Sequence, residues 1–305
     1  MAYLRDRRAF GNIGTRKFRG ARFGDALSPR FRGLLDQYGG AAAAYSLRAL
    51  SSGWAAGDVV RARRVNTPGE ANFTAGQVAN GELATWALSG DAFVTTWYDQ
   101  SGNANDAVQA TTTTQPKIVS AGALVTGGLD FDGVDDQLGL TGTGLDIFKN
   151  VGYGQVFSVA TSDEVSTSGG RILEMKTSGT GGRYVLGEST TTSASYRIGG
   201  RRLDADTFDS TSASVGHGST EKLITGFANW SDAEAYIYQN GANVGTDLSF
   251  QTAGLTSNTS SKLADTGIGS IGFNGRIREV IIYNTDQSAN RVAIEANINA
   301  AYTIY

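Results

Sequence analysis

"AYIYQNGANVG", residues Ala235 to Gly245, decides the fold. Tyr236 and Tyr238 alternate with Ala235 and Ile237 up to an Asn240-Gly241 step. That dipeptide suits the two positive φ angles of a type I′ turn, so the stretch predicts an antiparallel hairpin. Outward from it, short segments of the same kind recur between Gly, Asn, Asp and Ser: 42–50, 59–65, 93–98, 129–131, 155–160, 171–176, 183–186, 222–230, 234–239 and 276–283. They suffice for two packed sheets. In 93–98, strict alternation puts Phe93, Thr95 and Trp97 on one face, with Trp97 read as core.

After Tyr283 the period changes. In "SANRVAIEANINAAY", Ile294 and Ile298 stand four apart behind Ser288, which predicts a short terminal helix with Ser288 as N-cap. Composition agrees with an all-β body: 41 glycines, 3 prolines and 10% aromatic residues. Absence of cysteine excludes disulfides, thiolate metal sites and a cysteine nucleophile. No signal-type segment and no run of about 18 apolar residues occurs, so a soluble chain without a membrane partner is expected.

The net charge of −3 conceals a basic start. Residues 1–35 carry Arg5, Arg7, Arg8, Arg16, Lys17, Arg19, Arg22, Arg30 and Arg32 against Asp6 and Asp25, while the remainder has 17 basic and 27 acidic residues. Phe10, Phe18, Phe23 and Phe31 interleave the arginines. Such a segment serves as a docking strap on another protein, as a phosphate neutraliser, or as a solvated tail. Docking is the reading adopted, and nucleic acid is not expected as a partner. The domain reading is therefore an arm, 1–37, and one body, 38–305, which has no Pro- or Ser-rich linker.

Three stretches, "LDFDGVDDQLGL" (129–140), "YQNGANVG" (238–245) and "FNGRIREVIIYNTDQSANRVAIEANI" (273–298), together resemble the concanavalin A-like lectin or laminin G-like jelly roll. This implies two antiparallel sheets with a glycan-binding concave face. Upstream, "AYSLRAL" (44–50), "FVTTWYDQSGNANDAVQA" (93–110) and "QPKIV" resemble the catalytic sandwich of the fungal-type α-L-arabinofuranosidases, and phage virion proteins carrying the same module. The enzyme resemblance implies a nucleophile at Glu174 in "RILEMK" and an acid in the run "DTGIGSIGFNGRIRE". No carboxylate lies between Asp265 and Glu279, which leaves Asp265 as a distant candidate acid. The family's vicinal disulfide also cannot form. A two-carboxylate mechanism is thus expected to lack its proton donor, and the chain is read as no enzyme.

Remaining candidates are read against simpler roles. Trp54, Tyr98, Asp99 and Asn103 are candidate carbohydrate ligands, Trp54 because it stands in a loop. Asp99, Asn103, Asn105 and Asp106 offer oxygens that suit Ca²⁺, though an Asp/Asn/Gly cluster after a strand is expected to be a turn held by side-chain-to-backbone bonds. Asp132, Asp135 and Asp136 are read in the same way, and no cofactor is expected. The lone His217, in a glycine-rich loop, is expected at the surface. The whole reads as a bacteriophage virion structural protein, on tail or capsid surface. It would be a tail fibre or receptor-binding protein for a host surface glycan, joined to other virion proteins through 1–37 and assembled as a homo-oligomer, with a trimer as the working guess. The alternatives are a capsid decoration or head-fibre protein without ligand, and a retaining arabinofuranosidase-like hydrolase.

Overall fold

The computed structural model describes residues 32–164, 169–177, 183–189, 194–265 and 272–305. The arm residues Arg5, Arg7, Arg8, Arg16, Lys17, Arg19, Arg22 and Arg30 lie outside them, and Arg32 is exposed. Four α-helices are described: α1 (Leu34–Gln37), α2 (Ala75–Ala79), α3 (Glu82–Ala87) and α4 (Arg291–Tyr302). The first strands are β1 (Ala43–Ser46), β2 (Asp58–Arg64), β3 (Gly69–Thr74), β4 (Ala92–Trp97), β5 (Ala107–Val108), β6 (Lys117–Ser120), β7 (Ala123–Leu124), β8 (Leu129–Asp132) and β9 (Leu138–Leu140). Then follow β10 (Tyr153–Ser162), β11 (Arg171–Lys176), β12 (Tyr184–Glu188), β13 (Tyr196–Gly200) and β14 (Asp209–Ser212). The series ends with β15 (Lys222–Asn229), β16 (Glu234–Gln239), β17 (Ala242–Asp247), β18 (Ser260–Leu263) and β19 (Asn274–Tyr283).

All paired strands are antiparallel. One layer runs β17-β16-β15-β10-β19-β8-β6, with β1 beside the far half of β19. The other runs β14-β13-β12-β11-β18-β9-β5. β4 joins them, pairing β6 through Ala92 and Phe93 and β5 through Thr96 and Trp97. At the opposite end the Ser214 N–H donates to the Val244 carbonyl at 2.7 Å, so the sandwich is nearly closed. Trp97, Tyr45, Phe131 and Trp230 are buried between the layers.

The Asn240-Gly241 turn forms as predicted, with φ of 52° and 81°. Two local expectations are corrected. In β4 the register shifts between Arg61 and Ala62, opposite Thr96 and Val94, which makes Thr95 an extra residue. The bulge reverses the alternation: Ala92, Val94 and Trp97 face the core, while Phe93 turns outward beneath Arg63 and Lys117. The terminal helix starts behind Asn290 and not behind Ser288, whose N–H is held by Asp286 two residues earlier. Ile294 and Ile298 are nevertheless fully buried, on Phe157, Val159, Leu223 and Ile281 of the outer sheet face.

Leu34 enters the same cluster, and a Cβ on Gly33 would fall 2.1 Å from the Leu50 carbonyl oxygen. Gly33 and Leu34 thus pack into the sandwich, while Asp36 and Gln37 of α1 stay exposed. Beneath the end of α4, the Glu279 carboxylate is fully buried and receives Arg48 twice, Nε and Nη2 each at 2.8 Å, together with Ser46 Oγ and Tyr302 Oη. One acid thereby joins β1, β19 and α4. Removing a partner from a buried pair leaves a charge without compensation. Arg48→Met should cost about 3 kcal/mol in urea unfolding, and Arg48→Met with Glu279→Leu should recover most of that loss.

Candidate functional site

The outer side of the second layer is built by another bulge. In β11, Leu173 and Met175 point into the core, which sends Glu174 and Lys176 to the opposite side. The register shift between Arg171 and Leu173 makes Ile172 an extra residue, so Arg171 joins the face of Glu174. Across the ladder Arg171 opposes Gly187, and Gly187 opposes Arg197. A Cβ at Gly187 would meet the Gly170 carbonyl oxygen at 2.4 Å, so glycine there lets the bulged strand approach. On the other flank Lys262 opposes Glu174. Ala264, at φ 55°, turns the chain and brings Asp265 back onto the same face.

Lys176 Nζ lies 3.0 Å from Glu174 Oε2 and 2.7 Å from Asp265 Oδ2. The two carboxyls, each 1% exposed, are therefore at most two hydrogen-bond lengths apart. Arg171 Nε stands 3.6 Å from Glu174 and Lys262 3.9 Å from Asp265. The environment separates the two acids. Burial raises Glu174 above the usual carboxylate range, with Asp265's charge adding to it despite Lys176 and Arg171. Burial opposes Asp265's charge as well, but the Lys176 hydrogen bond, Lys262 and a hydrogen bond from Glu174 hold it below that range. Of the pair, Glu174 holds its proton to higher pH than Asp265 does. Arg197 is pushed down to about 10 by burial and then by Arg171's charge, and its guanidinium lies over Phe208 at 5.5 Å.

Asp265 and Glu174 are thus neighbours, and a second carboxyl does stand beside the residue that the resemblance singled out. Sequence distance concealed it, because only the pairing of β18 with β11 closes the gap. The signal that was present is the spacing in "RILEMK", three charges on a strand of core residues.

Of the carbohydrate candidates, Asp99 and Asn103 share one turn, bridged by Ser101 Oγ, while Trp54 and Tyr98 are each tied to other partners. Trp54 donates Nε1–H to the Asp58 carbonyl at 3.0 Å and packs against the core. Tyr98 donates its hydroxyl to Asn72 at 3.1 Å. The buried Asp99 carboxylate accepts from Ala44 N–H, Ser101 N–H, Ser101 Oγ–H and Asn105 N–H at 2.7–3.0 Å, which occupies its four in-plane positions. Asp106 accepts from Asp99 N–H, and Asn103 and Asn105 donate to the Ala41 and Ala42 carbonyls. These bonds build a turn around β1. Asn103 and Asn105 line a polar cleft of about 470 Å³ with Asp146 and Lys149.

In the second acidic turn, Asp132 Oδ1 accepts from Val134 N–H at 2.8 Å, and Asp136 accepts from Asp132 N–H at 3.1 Å. The Asp132, Asp135 and Asp136 oxygens gather within 4.8 Å. His217 is not at the surface: Gly218, at φ 59°, turns the loop inward and buries the ring on Tyr196, centroids 5.0 Å apart.

Fold and site together define a two-layer antiparallel β-sandwich with a paired-carboxyl face. Among solved structures it is similar to a GH54 α-L-arabinofuranosidase soaked with a cyclic sulfate inhibitor, at TM-score 0.56 and 16% identity, over 86% of this chain and 63% of that one. It is also similar to an arabinofuranosidase complexed with arabinofuranosyl-α-1,2-xylobiose, at TM-score 0.53 and 17% identity, over 86% and 62%. The CBM40 of a Ruminococcus gnavus sialidase bound to α2,3-sialyllactose aligns at TM-score 0.39 and 15% identity, over 48% of this chain and 84% of that module. At such identities the likeness to the arabinofuranosidases is one of fold, and this chain spans less than two thirds of their length. No protein-family model matches the sequence, and no curated protein matches it.

Two titrations follow. Burial, then the charge of Asp132, pushes Asp136 up to about 7. A folded pKa above the unfolded value means that this carboxyl's contribution is fully present below about pH 4 and is lost as pH rises through 7. Asp136→Asn should be the more stable protein at pH 8 and gain nothing at pH 4, in parallel thermal melts. Removing Lys176 raises both acids of the pair, so Lys176→Met should lose about 3 kcal/mol at pH 8 and less at pH 5, where a proton replaces the ammonium.

Proposed function

We propose that this protein is carbohydrate-directed and engages a glycan over the Glu174–Asp265 face, and that its basic arm joins it to a phage-type particle. The observation that carries the first part is the paired carboxyls, held with Lys176, Lys262, Arg171 and Arg197 on one outer sheet face. Convergent charged donors and acceptors of this kind fix sugar hydroxyls. The fold shared with arabinofuranosidases supports the reading. Support for the particle is the cluster of arginines and phenylalanines in residues 1–32, with the upstream likeness to virion modules. A tail-borne host-receptor role is preferred to capsid decoration because a decoration protein needs no such face.

Binding without turnover is the expected chemistry. Glu174 and Asp265 hydrogen-bond to each other and share Lys176, which leaves between them no room for the glycosidic bond that attack on one side and protonation on the other would need. A second reading, retaining hydrolysis, is favoured by the opposite directions in which burial and neighbouring charges shift the two acids. These would make Glu174 the acid and Asp265 the nucleophile, the reverse of the roles the resemblance implied.

The test is a glycan array with the full chain, beside 4-nitrophenyl α-L-arabinofuranoside as chromogenic substrate. A glycan signal that Asp265→Asn weakens about tenfold, without nitrophenol release, is the expected result. Release abolished by Glu174→Gln and by Asp265→Asn would establish the hydrolase instead. Silence in both assays ends the carbohydrate reading. Deleting residues 1–32 should leave a folded body that no longer enters particles.

A further inference from the structure

Four aromatic rings cross the outer face of the other layer. Tyr153 on β10, Phe227 on β15, and Tyr236 and Tyr238 on β16 all point away from the core, since their neighbours Val156, Ile224, Ala228, Ala235 and Ile237 fill it. Successive ring pairs are nearly parallel: Tyr153–Phe227 at 6.4 Å and 12°, Phe227–Tyr236 at 6.0 Å and 21°, Tyr236–Tyr238 at 6.4 Å and 29°. Helix α4 covers the rest of this face and stops at the strip, with the Arg291 guanidinium 3.9 Å from the centre of the Tyr238 ring. The three tyrosines remain half-buried, and Phe227 is 6% exposed.

A second observation is independent of the rings. Gln155, on β10 between Phe227 and Tyr283, is 0% exposed, and neither its carbonyl nor its amide has a hydrogen-bond partner. A buried amide with both ends unmatched is costly unless something else bonds to it. Polar groups also rim the strip: Tyr236 donates its hydroxyl to Glu234 at 2.7 Å, and Asn229 donates to Asp232 at 2.9 Å.

From this arrangement we infer that the Tyr153–Phe227–Tyr236–Tyr238 strip is a second carbohydrate site, for a neutral oligosaccharide. Sugar CH groups pack on aromatic faces, and a hydroxyl inserted beside Tyr153 both donates to and accepts from Gln155. Glu234 and Asp232 repel uronates and sialates, which selects neutral chains. A protein partner fits less well, because among the described residues no exposed large aliphatic side chain lies on β10, β15 or β16. The site is independent of the Glu174 face, which belongs to the other layer.

The experiment titrates the full chain by calorimetry with neutral xylo-, arabino- and gluco-oligosaccharides and with polygalacturonate as the acidic control. One or more neutral chains should bind and polygalacturonate should not. Tyr236→Ala and Tyr153→Ala should each weaken that binding about tenfold, while Tyr236→Phe, which keeps the ring, should leave it intact. Gln155→Leu should raise the melting temperature and still weaken binding, a combination that a purely structural glutamine does not give. The inference fails if no neutral chain binds, if binding follows Glu174 and ignores the tyrosines, or if the tyrosine variants instead dissolve an oligomer in light scattering.

Discussion

A carboxylate that never meets water holds this sandwich together. Glu279 is buried where the first strand, the last strand and the terminal helix converge, and its charge obliges Arg48, Ser46 and Tyr302 to converge with it. Apolar packing alone would let α4 slide over the face of Phe157, Val159 and Ile281, since dispersion has little directional preference. The bidentate guanidinium admits one position. Once α4 is fixed, so is the edge at which it stops, and the aromatic strip beyond it stays uncovered.

What the rest of the architecture adds is a set of single-residue insertions. Thr95, Ile172 and Arg278 each stand opposite no partner in one of their ladders. Each reverses which side chains face the core from that point on. Arg278, relieved of the ladder, lies over Tyr302 at 4.4 Å and pairs with Glu221. Ile172 moves Arg171 onto the carboxyl face. The charged site of one layer therefore depends on an irregularity in β11 and on the turn at Ala264 that returns Asp265 to it.

This explains how far the sequence could be read. Strands 171–176 and 234–239 begin and end where the apolar pattern says, and the Asn240-Gly241 turn follows from φ preferences that act locally. The face occupied by Phe93 could not be read, because the bulge at Thr95 is imposed by a partner strand more than thirty residues away. The meeting of Glu174 with Asp265 was hidden for the same reason: a pairing of β11 with β18 sets it, and no periodicity within either strand encodes that pairing. Ser288 looked like a helix cap because the residue type is right, but Asp286 competes for its N–H and the helix starts later. In the sequence the aromatic strip shows only as "AYIY", since alternation tells which residues share a face and not which face water reaches.

β1 and β19 have a further consequence, one of time. The hydroxyl of Ser46 and the carboxylate it holds are 233 residues apart in the chain. A ribosome adding ~5–20 residues per second needs roughly ten to fifty seconds to make that interval. Until then β1 has no strand partner, Arg48 has no acid, and the apolar side of the early strands is open to other nascent chains. The sandwich closes only once β19 has been made, and during that delay a chaperone holding β1 to β4 would raise yield at a step that no stabilising change in the finished fold reaches.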